Sequence, residues 1–433
     1  MKRKNKTTFK LKRTLGLTEA TFYGIGIILG AGIYAIIGEG AKVAQGSLWI
    51  SFVIAAIIGS FTGLSYAEMS GRFSKEAAEY NYTKKAFNRN YLSFIIAWIM
   101  IIAGVFSVSA VSLGFAGYFT NLFGGAPILV AIVLIVLLSL LNWFGIKESA
   151  RFNMLSTLIE MGGLVLVVLI GIFLVSSNGF GSDLLTLPAT GLAGIMTAVG
   201  LIFFAYIGFE DVANMSEEVK NPQKTVPKAL IISIALTTIL YILVSVFAIS
   251  SVGWETLANS KAPLTTIADK GLGPSGIFIM SLIALFATAN TALIIMIVIS
   301  RILYGVSCQK DLPKMFSRIG NRGTPYISVF TVAIVCILAL FLGGLKIVAS
   351  LTDIGIFIVY LFVNLSLIKL RFSKKDRYSG FRTPLNIGKF PVLAFLGVLT
   401  SAGMLFFFDP FLIFAELAVI LGGFAVYKIV SKK

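Results

Sequence analysis

The 433-residue chain contains no histidine and only two cysteines, Cys308 and Cys336. Without histidine the usual neutral-pH proton carrier is missing, so any proton coupling must fall to carboxylates. The cysteines fall near the end of one apolar segment and inside the next, which gives neither a disulfide framework nor, without histidine, a metal site. No cofactor is expected. The same shortage removes the nucleophile–base pairs and metal clusters that a membrane enzyme would need, so no covalent chemistry is expected. Charge is scarce as well, at 13% of residues, and the longest polar intervals run about twenty residues, too short for a separate soluble domain. A channel would show repeated filter residues or a continuous polar helix face, and neither is evident.

What fills the chain is apolar: 57% of residues are hydrophobic. Stretches of about 20 apolar residues recur along nearly its whole length, each able to cross a hydrocarbon core of about 30 Å. The pattern predicts an all-α integral membrane protein with twelve spanning segments, near residues 17–44, 47–69, 91–119, 126–145, 151–175, 194–215, 229–252, 275–306, 326–342, 347–370, 391–408 and 411–430. Residues 1–16 read as a basic tail, 17–370 as one core, 371–390 as a basic loop, and 391–433 as a final helix pair with a short end. With the tail in the cytoplasm, all but Lys42, Lys261, Lys270 and Lys346 of the 36 basic residues fall on cytoplasmic ends. That asymmetry predicts a multi-pass cell-membrane protein with both termini cytoplasmic, and it accounts for the net charge of +17 without nucleic acid. The basic start MKRKNKTTFKLKR is not expected to be a cleavable signal, since no small-residue cleavage site follows a short apolar core.

The chain is organised around residues 24–38, GIGIILGAGIYAIIG, a lipid-grade stretch carrying five glycines. Gly30-Ala31-Gly32 is a place where a spanning helix can come apart, and an unwound backbone survives in a membrane only when buried in protein or lining a wet cavity. A second interruption, Tyr206-Ile207-Gly208, divides the sixth segment. Segments 1–5 and 6–10 each start with a broken helix, and an odd number of spans inserts the second group upside down. That pairing points to a secondary transporter with its site at the midplane, an inverted 5+5 repeat of LeuT-like form plus two peripheral helices. The third segment, rich in glycine, serine and alanine, is expected inside the bundle.

Several stretches resemble the amino acid-polyamine-organocation transporter superfamily. They are IGIILGAGIYAIIG in segment 1, LSYAEMSGRF ending segment 2, FFAYIGFEDVANMSEEVKNPQKTVPKAL across segment 6 and its exit, SRILYGVSCQKDLPKMFSRI after segment 8, and the FRTP stretch before segment 11. The resemblance implies an amino acid bound between segments 1 and 6. Free N–H groups at Gly30, Ala31, Gly32 and Ile33 would receive its carboxylate, helped by a helix dipole. Carbonyls of Phe203, Phe204 and Ala205 would receive its ammonium. Phe203 and Ile207 are candidates for side-chain selection, and the residue resembling Phe203 covers the occupied site in the family.

Glu160 departs from the family, many of whose members resemble one another in placing a lysine there. Roughly 15 Å into its helix, it sits near the bilayer centre, where a lipid-facing carboxylate would cost on the order of 3 kcal/mol. It is a candidate proton carrier, a candidate sodium ligand, or a protonated structural donor. Glu210, beside the second break, is a second candidate for coupling. Thr288 and Thr291 are candidates for an ion site, and serine and threonine are also common at plain helix interfaces. Asp211 is expected to complete a helix end and pair with Lys220 or Lys224, and Glu68 and Asp353 to serve helix ends or gates. The expected function is proton-coupled uptake of neutral amino acids by alternating access; exchange, cationic amino acid or polyamine transport, and a non-transporting sensor on the same fold remain open.

Overall fold

The computed structural model describes residues 15–431 except 75–76, 145, 217–218, 261, 321 and 374–377. Nine helical stretches are long and apolar enough to cross a membrane among the described residues. The longest spans 56 residues and is two helices, α1 (Leu17–Ala44) and α2 (Leu48–Arg72), joined by a tight turn. A short amphipathic helix α3 (Ala78–Phe87) leads into α4 (Asn90–Phe123), α5 (Pro127–Phe144) and α6 (Ile146–Asn178). The sixth apolar stretch is split into α7 (Leu192–Ile202), a single 3-10 turn over Phe203–Tyr206, and α8 (Phe209–Asn214). Then come α9 (Pro222–Val252), two small helices α10 (Trp254–Asn259) and α11 (Pro263–Leu272), α12 (Pro274–Cys308), α13 (Tyr326–Ala339) and α14 (Leu345–Arg371). A two-stranded hairpin, β1 (Asn386–Ile387) with β2 (Phe390–Pro391), precedes α15 (Val392–Met404) and α16 (Pro410–Ser431).

Side-chain size decides which helices lie inside. α4, with Gly104, Ser107, Ser109, Ser112 and Gly114 along it, is the most enclosed of the long helices and packs between α12 and α14. Small residues let backbones approach closely, which is what holds helices together where water supplies no driving force. α5 and α16 instead turn Leu129, Leu137, Phe411 and Phe414 outward, as helices that meet lipid should. α1 lies at the centre, against α6, α7, α9 and α12.

The structure adds elements where the sequence suggested loops. The basic stretch 73–90, between the second and third of the spans expected from the sequence, contains α3, whose Glu79 lies in the first turn and Lys84 and Lys85 in the last, matching the helix dipole. Asn88 stops it in the left-handed conformation at φ 51°. Reading for membrane-length apolar runs passes over such a helix, because its mean character is polar. The loop holding WETLANSKAP likewise contains α10 and the start of α11. The basic tail falls outside the described residues over 1–14.

Candidate functional site

Gly30 is the one non-helical residue inside α1, with φ −32° and ψ −125°. A Cβ there would overlap the Thr291 hydroxyl of α12, and one at Gly32 would overlap the backbone of Ala205. So the two interrupted helices touch at their interruptions, and α12 fills the gap at the first. At the second, Ile207 is extended and Gly208 takes φ 118°, a conformation side chains avoid, with Ile27 of α1 where its Cβ would be. Tyr241 of α9 donates its hydroxyl to the carbonyls of both Ile28 and Ala205, bridging the two breaks. A broken helix leaves orphan carbonyls, and the single proton of this phenol is shared between one on each side.

Beside this contact lies a partly open cavity, about 580 Å³ of empty space including its mouth, lined by α1, α4, α8, α12, α14 and the 3-10 turn before α8. Gly32, Phe204, Ile207, Glu210 and Thr291 line it. Ala31 lies in the helical backbone between Gly30 and Gly32, and Ile33 is buried behind it. Phe203 does not reach the cavity. It is fully buried against Phe357, 4.6 Å between ring centroids, and against Tyr360. The Ala205 carbonyl, expected to be free for an ammonium, is already accepting from Tyr241 at 2.9 Å. Thr288 bonds back to Ala284 in its own helix at 2.7 Å and stays outside the cavity, whereas Thr291 lines it.

Glu160 is fully buried on α6. Its Oε1 accepts from Asn290 Nδ2 at 3.1 Å, one residue before Thr291, and its Oε2 has no partner; neither has the Asn290 Oδ1. The Glu160 backbone carbonyl accepts from Tyr34 of α1 at 2.9 Å. The acid is thus tied through α12 and α1 to the first break. Glu210 Oε2 accepts from the Gly208 N–H at 3.0 Å and from Tyr360 of α14 at 2.8 Å, so this carboxylate holds the second break to α14.

Two further placements differ from the sequence reading, and a third agrees with it. Asp211 makes no ion pair with Lys220 or Lys224, which are exposed, and it lines the cavity instead, because α8 turns it inward. Asp353 stands well inside α14 rather than at its end, fully buried and with neither carboxylate oxygen partnered. Glu68 does lie near the end of α2, and there it is clamped by two arginines, Arg72 at 2.7 Å and Arg371 at 2.5 Å. Ser107 and Thr352, which also line the cavity, carried no sequence signal beyond their place on segments 3 and 10.

The model of the family described as amino acid permease matches residues 15–419. The chain belongs to the amino acid permease family, within the amino acid-polyamine-organocation superfamily. This is a family of transporters, not of enzymes. The permease is 28% identical to the branched-chain amino acid permease of Bacillus subtilis, over 98% of this chain and 94% of that one. It is 28% identical to the methylthioribose transporter of the same organism over 86% and 84%, and 26% identical to vacuolar cationic amino acid transporter 4 of Arabidopsis thaliana over 86% and 66%. The permease is therefore a multi-pass membrane transporter, and its broken helices and cavity are the features on which a substrate reading can be built.

Proposed function

We propose that this permease is a secondary active transporter of the cell membrane that takes up neutral amino acids together with protons by alternating access. In this reading the twelve spans are α1, α2, α4, α5, α6, the α7–α8 pair, α9, α12, α13, α14, α15 and α16. The first five and the next five form an inverted repeat, and both termini are cytoplasmic. The observation that carries the reading is the meeting of two helix interruptions, Gly30–Gly32 and Ile207–Gly208, beside one cavity. Broken spans facing each other near the midplane are how transporters of this architecture expose main-chain groups to substrate. The N–H groups after Gly30 suit the amino acid carboxylate. The carbonyl of Phe204, which lines the cavity, suits the ammonium. Isoleucine and valine together are the commonest residues of the walls, which favours a neutral, apolar side chain.

Glu160 is the proposed proton carrier. A carboxylate buried at that depth must be neutralised or paired, and its Oε2 has neither a donor nor a cation beside it. Its hydrogen bond to Asn290 connects proton occupancy to the Thr291–Gly30 contact. The orphan Glu160 Oε2 and Asn290 Oδ1 favour a second reading, in which sodium rather than a proton occupies this place.

The test is uptake of labelled amino acids into proteoliposomes, with and without an inward proton gradient, in sodium-free buffer, for the wild type and Glu160→Gln. The gradient is expected to drive accumulation in the wild type, and the variant to equilibrate or exchange without accumulating. Accumulation that ignores protons but follows sodium, or that requires amino acid inside, sinks the proton reading.

A further inference from the structure

Asp211 is the acid of α8 whose side chain makes no hydrogen bond to the fold among the described residues. It is 5% exposed, lies in the first turn of α8, and lines the cavity. Among the described residues its carboxylate makes no hydrogen bond and no ion pair, and no lysine or arginine lines the cavity. The neighbouring Glu210 differs: its Oε2 holds the Gly208 N–H and the Tyr360 hydroxyl, so it is spent on the fold. Glu79, the next acid on that side, is occupied by Tyr66 and Asn214. Asp211 is the acid of the three left facing open space. Glu210 and Glu79 stand close enough to act on Asp211 electrostatically, so a charge there is costly both from dehydration and from like-charge repulsion, and the cost is relieved when a cation docks against it.

The walls leading to Asp211 say what kind of cation fits. Ile295, Val298, Ile299 and Ile302 of α12 form an aliphatic face, and Ile207 stands on the other side. Asp211 lies roughly 5 Å of helix rise beyond the break at Gly208, where the substrate backbone is held in the reading above. A group that is aliphatic along its length and charged at its tip matches that sequence of surfaces, as the stems of lysine and arginine do.

We propose that Asp211 is a specificity-determining residue that gives this cavity a subsite for the cationic tip of a basic amino acid, so that lysine, ornithine and arginine are carried in addition to neutral substrates. The proposal rests on the cavity being the amino acid site. A neutral amino acid uses the aliphatic walls alone; a basic one uses the same walls for its stem and Asp211 for its charge.

Norleucine has the four-carbon stem of lysine and ends in a methyl group, so the pair isolates the charge. Inhibition of labelled leucine uptake by lysine and by norleucine is measured in proteoliposomes for the wild type, Asp211→Asn and Asp211→Glu. In the wild type both inhibit. Asp211→Asn is expected to weaken lysine relative to norleucine at least tenfold, and Asp211→Glu to retain lysine inhibition. Lysine failing to compete in the wild type while norleucine does overturns the subsite and leaves the neutral-substrate reading standing. An unchanged lysine-to-norleucine ratio in Asp211→Asn overturns it too. Should Asp211→Asn be inactive, the wild-type comparison and Asp211→Glu decide the matter. Absence of uptake of any amino acid by the wild type brings down the transport reading and the subsite with it.

Discussion

At the scale of single residues, the site is made by positions that have no side chain. Gly208 combines a positive φ of 118° with a Cβ direction blocked by Ile27, so alanine there meets both backbone strain and a clash. Gly162 on α6 has open space around its Cβ direction, and alanine there should raise helix stability by about 1 kcal/mol. Gly208→Ala is expected to abolish uptake and to lower the melting temperature in detergent, whereas Gly162→Ala should transport as the wild type does. Comparable uptake by the two variants would mean that the second break tolerates a side chain and that the geometry at Ile207–Gly208 is not required for transport.

At the scale of elements, α8 is a six-residue helix fastened at both ends. Glu210 near its start bonds to Tyr360 of α14, and Asn214 at its end bonds to α3, donating to Glu79 at 3.2 Å and accepting from the Ala78 N–H at 2.7 Å. Glu79, outside the membrane-spanning helices, is pushed by burial from 4.5 to about 7; Glu210 pushes the same way, while its own backbone bond and those from Tyr66 and Asn214 oppose it. A carboxyl whose folded pKa is raised binds its proton more tightly when folded. Its contribution to stability is therefore full below about pH 4.5 and is lost as pH rises through about 7. Glu79→Gln removes that loss and keeps an oxygen for Tyr66 and Asn214. Melting curves in detergent from pH 5 to 8 should show the wild type falling relative to the variant, by at most about 3 kcal/mol. Parallel curves would mean that Glu79 does not titrate in this range.

This latch also marks what could be read from the sequence and what could not. The breaks at Gly30 and Gly208 were legible because glycine in a membrane-grade run has few explanations, and the enclosed α4 was legible from its small residues. Glu79 was invisible because α3 is short and polar, and its burial arises only when α8, whose Asn214 lies 135 residues further along the chain, lands on it. Asp211 was assigned to nearby lysines because sequence proximity says nothing about which way a six-residue helix turns its first turn. The free Ala205 carbonyl failed for the same reason, since its donor, Tyr241, comes from another helix.

At the scale of the whole molecule, the ends of distant segments are joined by one acid. Glu68 of α2 accepts from Arg72 Nε at 3.0 Å, from Arg371 Nε of α14 at 2.7 Å and from the Thr383 N–H at 2.8 Å, and Arg371 reaches Asn386 in the hairpin before α15 at 3.1 Å. The cluster thereby couples the first half of the bundle to the second and to the outer helix pair. Arg371 is only 1% exposed, so removing the carboxylate strands a buried guanidinium, a change that typically costs about 3 to 5 kcal/mol. Glu68→Gln should lower the melting temperature sharply. Removing the stranded charge as well, in Glu68→Gln/Arg371→Gln, should recover part of that loss, because the penalty belongs to the unpaired charge and not to the absent bond. Melting shifts of the two single variants that simply add in the double variant would show that the groups are uncoupled, and that the halves of the bundle are held together by helix packing alone.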